Sequence, residues 1–167
     1  MLLAGPYPYD IVPEEGRRKL SVLLRVGIRT WISLQHSSET GSRGSPFTDY
    51  EGEARGIADP GAGKLSFLRF PIRDMDICTV ETMQRILDAV DSSLGARSPV
   101  YIHCWGGHGR TGMAIGCWLV SHGLTPEEAL DRIALLRSGD AHLRAWDSPQ
   151  TAAQRVFIRR WADEVRG

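Results

Sequence analysis

The sequence predicts an α/β fold built on a mostly parallel sheet, and three observations predict it. Short β-branched or aromatic runs alternate with amphipathic helical stretches along the chain. One run, Pro99-Val100-Tyr101-Ile102, is continuously apolar, as parallel strands covered on both faces are. That run leads into a glycine-rich turn and then a helix, the kind of junction at which open α/β sheets bind ligands.

The elements follow in order. Glu14 to Val26 reads as a short helix with its acids early, and Gly27 is placed to end it. Arg29-Thr30-Trp31-Ile32-Ser33-Leu34 is a strand by composition. Residues 36–64 are rich in turn formers, a loop long enough to be functional or mobile, with room for a short helix from Tyr50 to Ile57. Leu65 to Ile72 is a second strand with Pro71 at its end. Thr79 caps a helix to about Leu94, in which Val80, Met83, Leu87, Val90 and Leu94 form one apolar stripe. Pro99 to Ile102 is the third strand, and residues 110–122 form a helix. Thr125-Pro126-Glu127-Glu128 starts another, with Thr at the cap, Pro first and Glu third. A last helix, near Gln150 to Val165, places Ala153, Phe157 and Trp161 on one face.

A chain of 167 residues suits a single domain, 1–167. Lys plus Arg equals Asp plus Glu at 20 each, which argues against a dedicated nucleic-acid binder. No apolar run is long enough to span a bilayer. The first residues lack the basic and apolar regions of a signal peptide. Three cysteines, Cys78, Cys104 and Cys117, form neither an even set nor a metal-like pairing, so free thiols in a reducing cytoplasm are expected.

The chemistry concentrates in His103-Cys104-Trp105-Gly106-Gly107-His108-Gly109-Arg110-Thr111-Gly112. Gly106, Gly107 and Gly109 permit backbone angles closed to other residues. Successive amides in such a curl can form a nest for an anion, and the helix that follows adds its positive end. Arg110 can reach back with a planar fork matched to two phosphate oxygens. Helix N-termini and nearby cations lower a free thiol from about 8.5 to roughly 3.5–7.5, which would make Cys104 an in-line nucleophile for phosphorus. Residues 105–110 are thus candidate phosphate binders, with His103 ordering the loop and Thr111 bonding the sulfur. The alternatives are an inert buried cysteine, the fate expected for Cys78 and Cys117, or a zinc site from His103, Cys104 and His108. A Walker loop is excluded, because no Gly-Lys-Ser/Thr is present.

His103-Cys104, five residues, then Arg110-Thr111-Gly112 resembles the signature of cysteine-dependent protein tyrosine phosphatases, most similar to their compact dual-specificity branch and its small bacterial members. Leu3 to Pro8 resembles that family's opening strand, Leu24 to Leu34 its next helix-to-strand junction, and Phe70-Pro71-Ile72-Arg73-Asp74 the loop carrying its general acid. Residues 36–64 have no counterpart in the resemblance.

The resemblance implies a three-layer fold with four to five strands and hydrolysis through a phosphocysteine intermediate without a cofactor or metal. Cys104 would be the nucleophile and Arg110 the phosphate clamp. Asp74 matches the acid position, and Asp76 is its rival two residues on. Gln154 or Gln150, in a segment resembling one that lines the pocket in some relatives, would orient water or simply start a helix. Trp105 would pack the loop or wall an aromatic substrate. The implied substrate is phosphoprotein, chiefly phosphotyrosine, with phosphoserine or phosphothreonine possible. The alternatives are a small phosphomonoester (inositol phosphate, phosphoinositide or nucleotide), phosphate binding without turnover, or sulfur transfer. A loop without lysine disfavours phosphoinositides.

Overall fold

A computed structural model describes residues 1–41 and 44–164. Among them the strands β1 (Leu2–Gly5), β2 (Thr30–Ser33), β3 (Ser66–Arg69) and β4 (Val100–His103) form one sheet in the order β1-β4-β2-β3. Every neighbouring pair is parallel, with Leu2 opposite Val100 and Thr30 opposite both Val100 and Ser66. The sheet therefore has the lower of the expected strand counts and no antiparallel member. β4 sits in its interior, so its C-terminal end at His103 is flanked by strands on both sides.

The helices are α1 (Pro13–Arg25), α2 (Tyr50–Ile57), α3 (Val80–Gly95), α4 (Gly109–Ser121), α5 (Pro126–Arg137), α6 (Ala141–Arg144) and α7 (Ala152–Glu164). The expected boundaries hold to within one or two residues for α1, α3 and α4, as do the expected starts of α5 and α7, and Tyr50–Ile57 is a helix. The expected end of the last helix at Val165 lies outside the described residues, as do residues 42 and 43 of the 36–64 segment. Gly27 takes a φ of 96° at the end of α1, a left-handed conformation suited to glycine. Thr79 accepts from the Thr82 amide, and Thr125 with Glu128 closes a capping box.

Strand alternation divides the core into two layers. Ile32, Val100 and Ile102 pack with Met83, Ile86, Val90, Met113, Cys117, Ile158 and Trp161, under α3, α4, α5 and α7. Trp31 and Tyr101 point the other way and pack with Leu20, Tyr50 and Ala54, under α1 and α2. Trp31 lies between the rings of Tyr50, Phe67 and Tyr101 at 5.7, 6.0 and 5.7 Å. Aromatic pairs of this kind contribute about 0.5–1.5 kcal/mol each beyond their buried area.

Two expectations are corrected. The buried face of α7 is Gln154, Ile158, Trp161 and Ala162, whereas Ala153 is exposed and Phe157 only half-buried. The helix is turned so that a polar side chain, Gln154, enters the interior. The second concerns residues 36–64. Asp49 caps α2, Asp59 caps a 3-10 turn at Pro60–Ala62, and Tyr50 and Ala54 are fully buried. The centre of the segment is thus an integral part of the second core layer.

Candidate active site

β4 ends at His103 and α4 starts at Gly109, so residues 104–108 must carry the chain from strand to helix in five residues. The carbonyls along this turn are held from outside. Leu34 N donates to His103 O (2.8 Å), Tyr7 N to Trp105 O (2.8 Å), Arg137 Nη1 to Gly107 O (3.2 Å) and Ser148 Oγ to His108 O (2.8 Å). In a trans peptide the N–H points opposite to the C=O. Anchoring the carbonyls of residues 105, 107 and 108 therefore aims the amides of Gly106, His108 and Gly109 away from those anchors, as an anion nest requires.

The glycines have distinct reasons. Gly107 has a φ of 72°, and a Cβ there would lie 2.5–2.7 Å from the backbone of Gly5 and Pro6. Both the angle and the space demand glycine. Gly106 and Gly109 do not use left-handed angles, contrary to expectation. Gly109 instead leaves room for the Gln154 amide, whose atoms would lie 3.0 Å from an added Cβ.

Cys104 is 3% exposed at the base of the turn. Arg110, one residue into α4, is 1% exposed and returns toward the strand ends. Its Nη1 donates to Ile72 O (3.0 Å) and to Glu39 Oε1, and its Nη2 donates to Glu39 Oε2 (3.0 Å). The same Nη2 lies 2.8 Å from Asp74 Oδ1. Burial works against the guanidinium's charge, but Glu39, Cys104 and Asp74 outweigh it and hold its pKa above the ordinary value. Burial likewise pushes Glu39 up, but hydrogen bonds from Arg110 and the His36 amide bring the carboxyl below its usual range. Arg110 Nε and Thr111 Oγ1 are buried without a hydrogen-bond partner among the described residues. The buried Nε is a donor suited to an oxyanion. The expected bond from Thr111 to the sulfur is not formed in this arrangement.

His103 is fully buried, and burial drives its pKa down to about 3, so the ring is neutral at physiological pH. Its Nδ1 lies 3.2 Å from Cys104 O, a pure acceptor, so Nδ1 carries the proton. Nε2 is then the acceptor, and Tyr50 Oη donates to it at 2.9 Å. His108 Nδ1 accepts from Arg137 Nη2 at 2.6 Å on the loop's outer side, where its ring stacks on Trp146 at 5.7 Å. Both ring nitrogens of His103 are thus committed within the protein. That geometry is incompatible with the alternative in which His103, Cys104 and His108 converge on one zinc ion.

The loop after β3 brings Asp74 to Arg110. The Asp74 side chain is 49% exposed, reachable by water while touching Arg110. Asp76 instead bonds its carboxylate to the Ile77 amide (2.9 Å), and its carbonyl accepts from Gln154 Nε2 (3.0 Å). Between them Met75 has a φ of 63°, which turns the two carboxylates apart. Gln154, fully buried, also accepts from the Thr151 amide (3.1 Å), so it joins α7 to the loop after β3 and covers Gly109. Trp105 is 37% exposed and meets Phe47 edge-on at 5.9 Å. Cys78 and Cys117 lie in or against the core, and burial raises both thiols, Cys78 to about 11.

Sequence reasoning missed Glu39, Tyr50 and Arg137. Glu39 lies in the unpatterned 36–64 segment, and its partner is 71 residues away. Arg137 closes α5 as an ordinary basic last-turn residue, and only folding brings it under Gly107.

A cysteine and an arginine on one strand-to-helix turn, with a carboxylate against the arginine, over a parallel sheet, form an arrangement like that of the tyrosine and dual-specificity phosphatases. Sequence comparison agrees. Residues 13–160 match the family described as PTP-SAK, the Swiss Army Knife protein, DSP-PTPase phosphatase domain, and the chain belongs to it. A relative in Arabidopsis thaliana, "Phosphatidylinositol 3,4,5-trisphosphate 3-phosphatase and protein-tyrosine-phosphatase PTEN1", is 30% identical over 57% of this chain and 22% of its own length. The "Putative tyrosine phosphatase 067L" of Invertebrate iridescent virus 3 is 27% identical over 58% of this chain and 44% of its own. Alignments with the curated relatives thus cover less than half of each relative's length. Among solved structures, Tk-PTP in its active form superposes with a TM-score of 0.68 at 24% identity, covering 97% of this chain and 90% of that one. Kinase associated phosphatase gives 0.73 at 19%, covering 99% and 86%. PTPMT1 in complex with PI(5)P gives 0.71 at 21%, covering 99% and 92%. At these identities the superpositions establish the fold.

Proposed function

We propose that this chain, acting as one domain, hydrolyses phosphomonoesters of phosphoprotein, chiefly phosphotyrosine, in two steps. Ionised Cys104 attacks phosphorus in line. An S–P bond forms, the P–O bond to the leaving group breaks, and Asp74 donates a proton to the departing oxygen. Water then attacks the phosphocysteine, Asp74 takes its proton, and the S–P bond breaks to release inorganic phosphate. Arg110 and the loop amides hold the equatorial oxygens throughout, donors aimed where charge develops. The observation that carries this reading is the shared contact of one fork: Arg110 rises from the loop that holds Cys104 and lies 2.8 Å from Asp74. Asp76 is turned onto its own backbone and is not assigned the proton transfer. Three free thiols fit a reducing cytoplasm.

A phosphoinositide is the second reading, favoured by the relatives named for such lipids. Against it, residues 105–109 offer no lysine to a polyphosphorylated headgroup.

Hydrolysis of p-nitrophenyl phosphate at mildly acidic pH tests the mechanism. Turnover should persist with chelator, vanish in Cys104→Ser and fall by about 10²–10⁴-fold in Asp74→Ala, the usual worth of acid–base assistance. Activity retained by Cys104→Ser would remove the mechanism. Full activity in Asp74→Ala would move the acid elsewhere. Phosphopeptides and phosphoinositides compared at equal concentration then separate the two substrate readings.

A further inference from the structure

Beside the phosphate turn is a cavity of about 160 Å³ lined by Tyr7, Tyr9, Asp10, Phe47, Thr48 and Trp105. Four of those six residues are aromatic and one is a carboxylate. The cavity is joined to the catalytic loop through Trp105, the residue after Cys104, whose carbonyl accepts from Tyr7 N. Its rings brace one another: Tyr7 meets Phe47 at 4.6 Å, Phe47 meets Trp105 at 5.9 Å, and Tyr7 Oη donates to Thr48 O at 2.6 Å. Asp10 accepts from Lys19 Nζ at 2.6 Å and from the Val12 amide at 3.2 Å, contacts that keep its carboxyl low and ionised. On the far side of Tyr7 and Phe47, a second cavity of about 260 Å³ is lined among the described residues by Glu39, Asp49, Glu51 and Arg69, with Glu39 held by Arg110 and Glu51 3.7 Å from Arg69. The substrate's approach on this side thus combines aromatic faces with carboxylates. Asp10, Glu39 and Glu51 already have cationic partners in Lys19, Arg110 and Arg69, so the added pull on a cation comes from the ring faces, with the partly exposed Asp10 carboxylate shared between Lys19 and the incoming group.

We propose that the Tyr7–Phe47–Trp105 cavity takes a lysine or arginine side chain flanking the phosphorylated residue, making this a phosphatase selective for phosphosites with a basic neighbour; this rests on the phosphoprotein reading above. The aliphatic stem of that side chain would lie along Phe47 and Trp105, with its charged end toward Asp10.

The test is a set of phosphotyrosine peptides on one scaffold, with lysine, arginine, norleucine or glutamate in turn at each of the two positions on either side, and p-nitrophenyl phosphate as the reporter of chemistry. Wild-type protein should show kcat/KM roughly 2- to 30-fold higher for lysine or arginine than for norleucine at one of these positions, the range of a cation–π contact, with glutamate poorest. The preference should disappear in Phe47→Leu and in Asp10→Asn, mainly through KM, while turnover of p-nitrophenyl phosphate is kept. If Phe47→Leu loses p-nitrophenyl phosphate turnover, Asp10→Asn decides. Equal rates for lysine and norleucine at every position, or a preference that survives in Asp10→Asn, would overturn the inference while leaving phosphoprotein hydrolysis intact. Turnover of p-nitrophenyl phosphate with no phosphopeptide hydrolysed would overturn the substrate reading and this inference together.

Discussion

The turn at residues 103–111 and the segment at residues 35–50 both reach Arg110, by different means. The turn takes its path from consecutive residues, a strand end, a glycine at a φ of 72° and a helix start that carries the arginine, while groups from elsewhere hold its carbonyls. The 35–50 segment contributes single side chains across long sequence separations. Glu39 braces Arg110 from 71 residues away, and Tyr50 donates to His103 from 53. The turn places Cys104 and Arg110, and the segment fixes the direction of the arginine and partners the outer ring nitrogen of the histidine. A short motif can thus specify the chemistry while its rigidity comes from a part of the chain with no motif.

Three substitutions would break or sharpen that contrast. The largest effect is expected within the turn. Arg110→Lys keeps a charge but loses the fork, and kcat/KM should fall by about 10²–10³-fold, the usual cost of one oxyanion donor. A loss below about threefold would show that the amides alone hold the phosphoryl group.

The next effect lies in the segment. Glu39→Gln removes the charge paired with a fully buried guanidinium, at a cost of about 1–3 kcal/mol in chemical denaturation and about tenfold in kcat/KM. The neighbouring exposed Ser38→Ala should change neither. The pH dependence has a defined sign. Glu39's folded pKa lies below its unfolded value, so the unfolded chain binds more protons between the two. Its stabilisation is complete above the unfolded value and is lost as pH falls through the folded one. The gap in stability between wild type and Glu39→Gln should therefore narrow in acid. A gap independent of pH would mean that Glu39 acts by packing alone.

The smallest effect concerns the histidine. Tyr50→Phe leaves His103 Nε2 without its donor and should cost about 1 kcal/mol, with p-nitrophenyl phosphate turnover nearly unchanged. His103 is held near 3 by burial, below its unfolded value of about 6.5, so the unfolded chain takes up the extra proton in that window. Stability should therefore decline as pH drops from about 6.5 toward 3. In His103→Asn that part of the decline should be missing, as chemical denaturation across this range would show.

Legibility followed the same division. Helix ends at Gly27, Thr79 and Thr125 are decided by neighbouring residues, and these were read correctly. The junction of β4 and α4 was readable for the same reason, together with the positions of Cys104 and Arg110. The buried face of α7 was misread because three- and four-residue spacings fit two overlapping stripes, and the bond from Gln154 to Asp76 O favours the polar one. Asp74 and Asp76 could not be separated by spacing, since the turn at Met75 decides which carboxylate meets the arginine.

By itself, then, the chain's order of residues determined the alternation of strands and helices, the sharp turn after β4 and the places of Cys104 and Arg110 on it, because backbone angles, caps and apolar periodicity act over a few residues. Only the folded structure decided that Glu39 holds Arg110, that Tyr50 meets His103 Nε2, and that aromatic side chains from positions 7, 9, 47 and 105 share one cavity. Those contacts join residues far apart in the chain, and their energies arise only once the two core layers have closed on the sheet and removed water from between them.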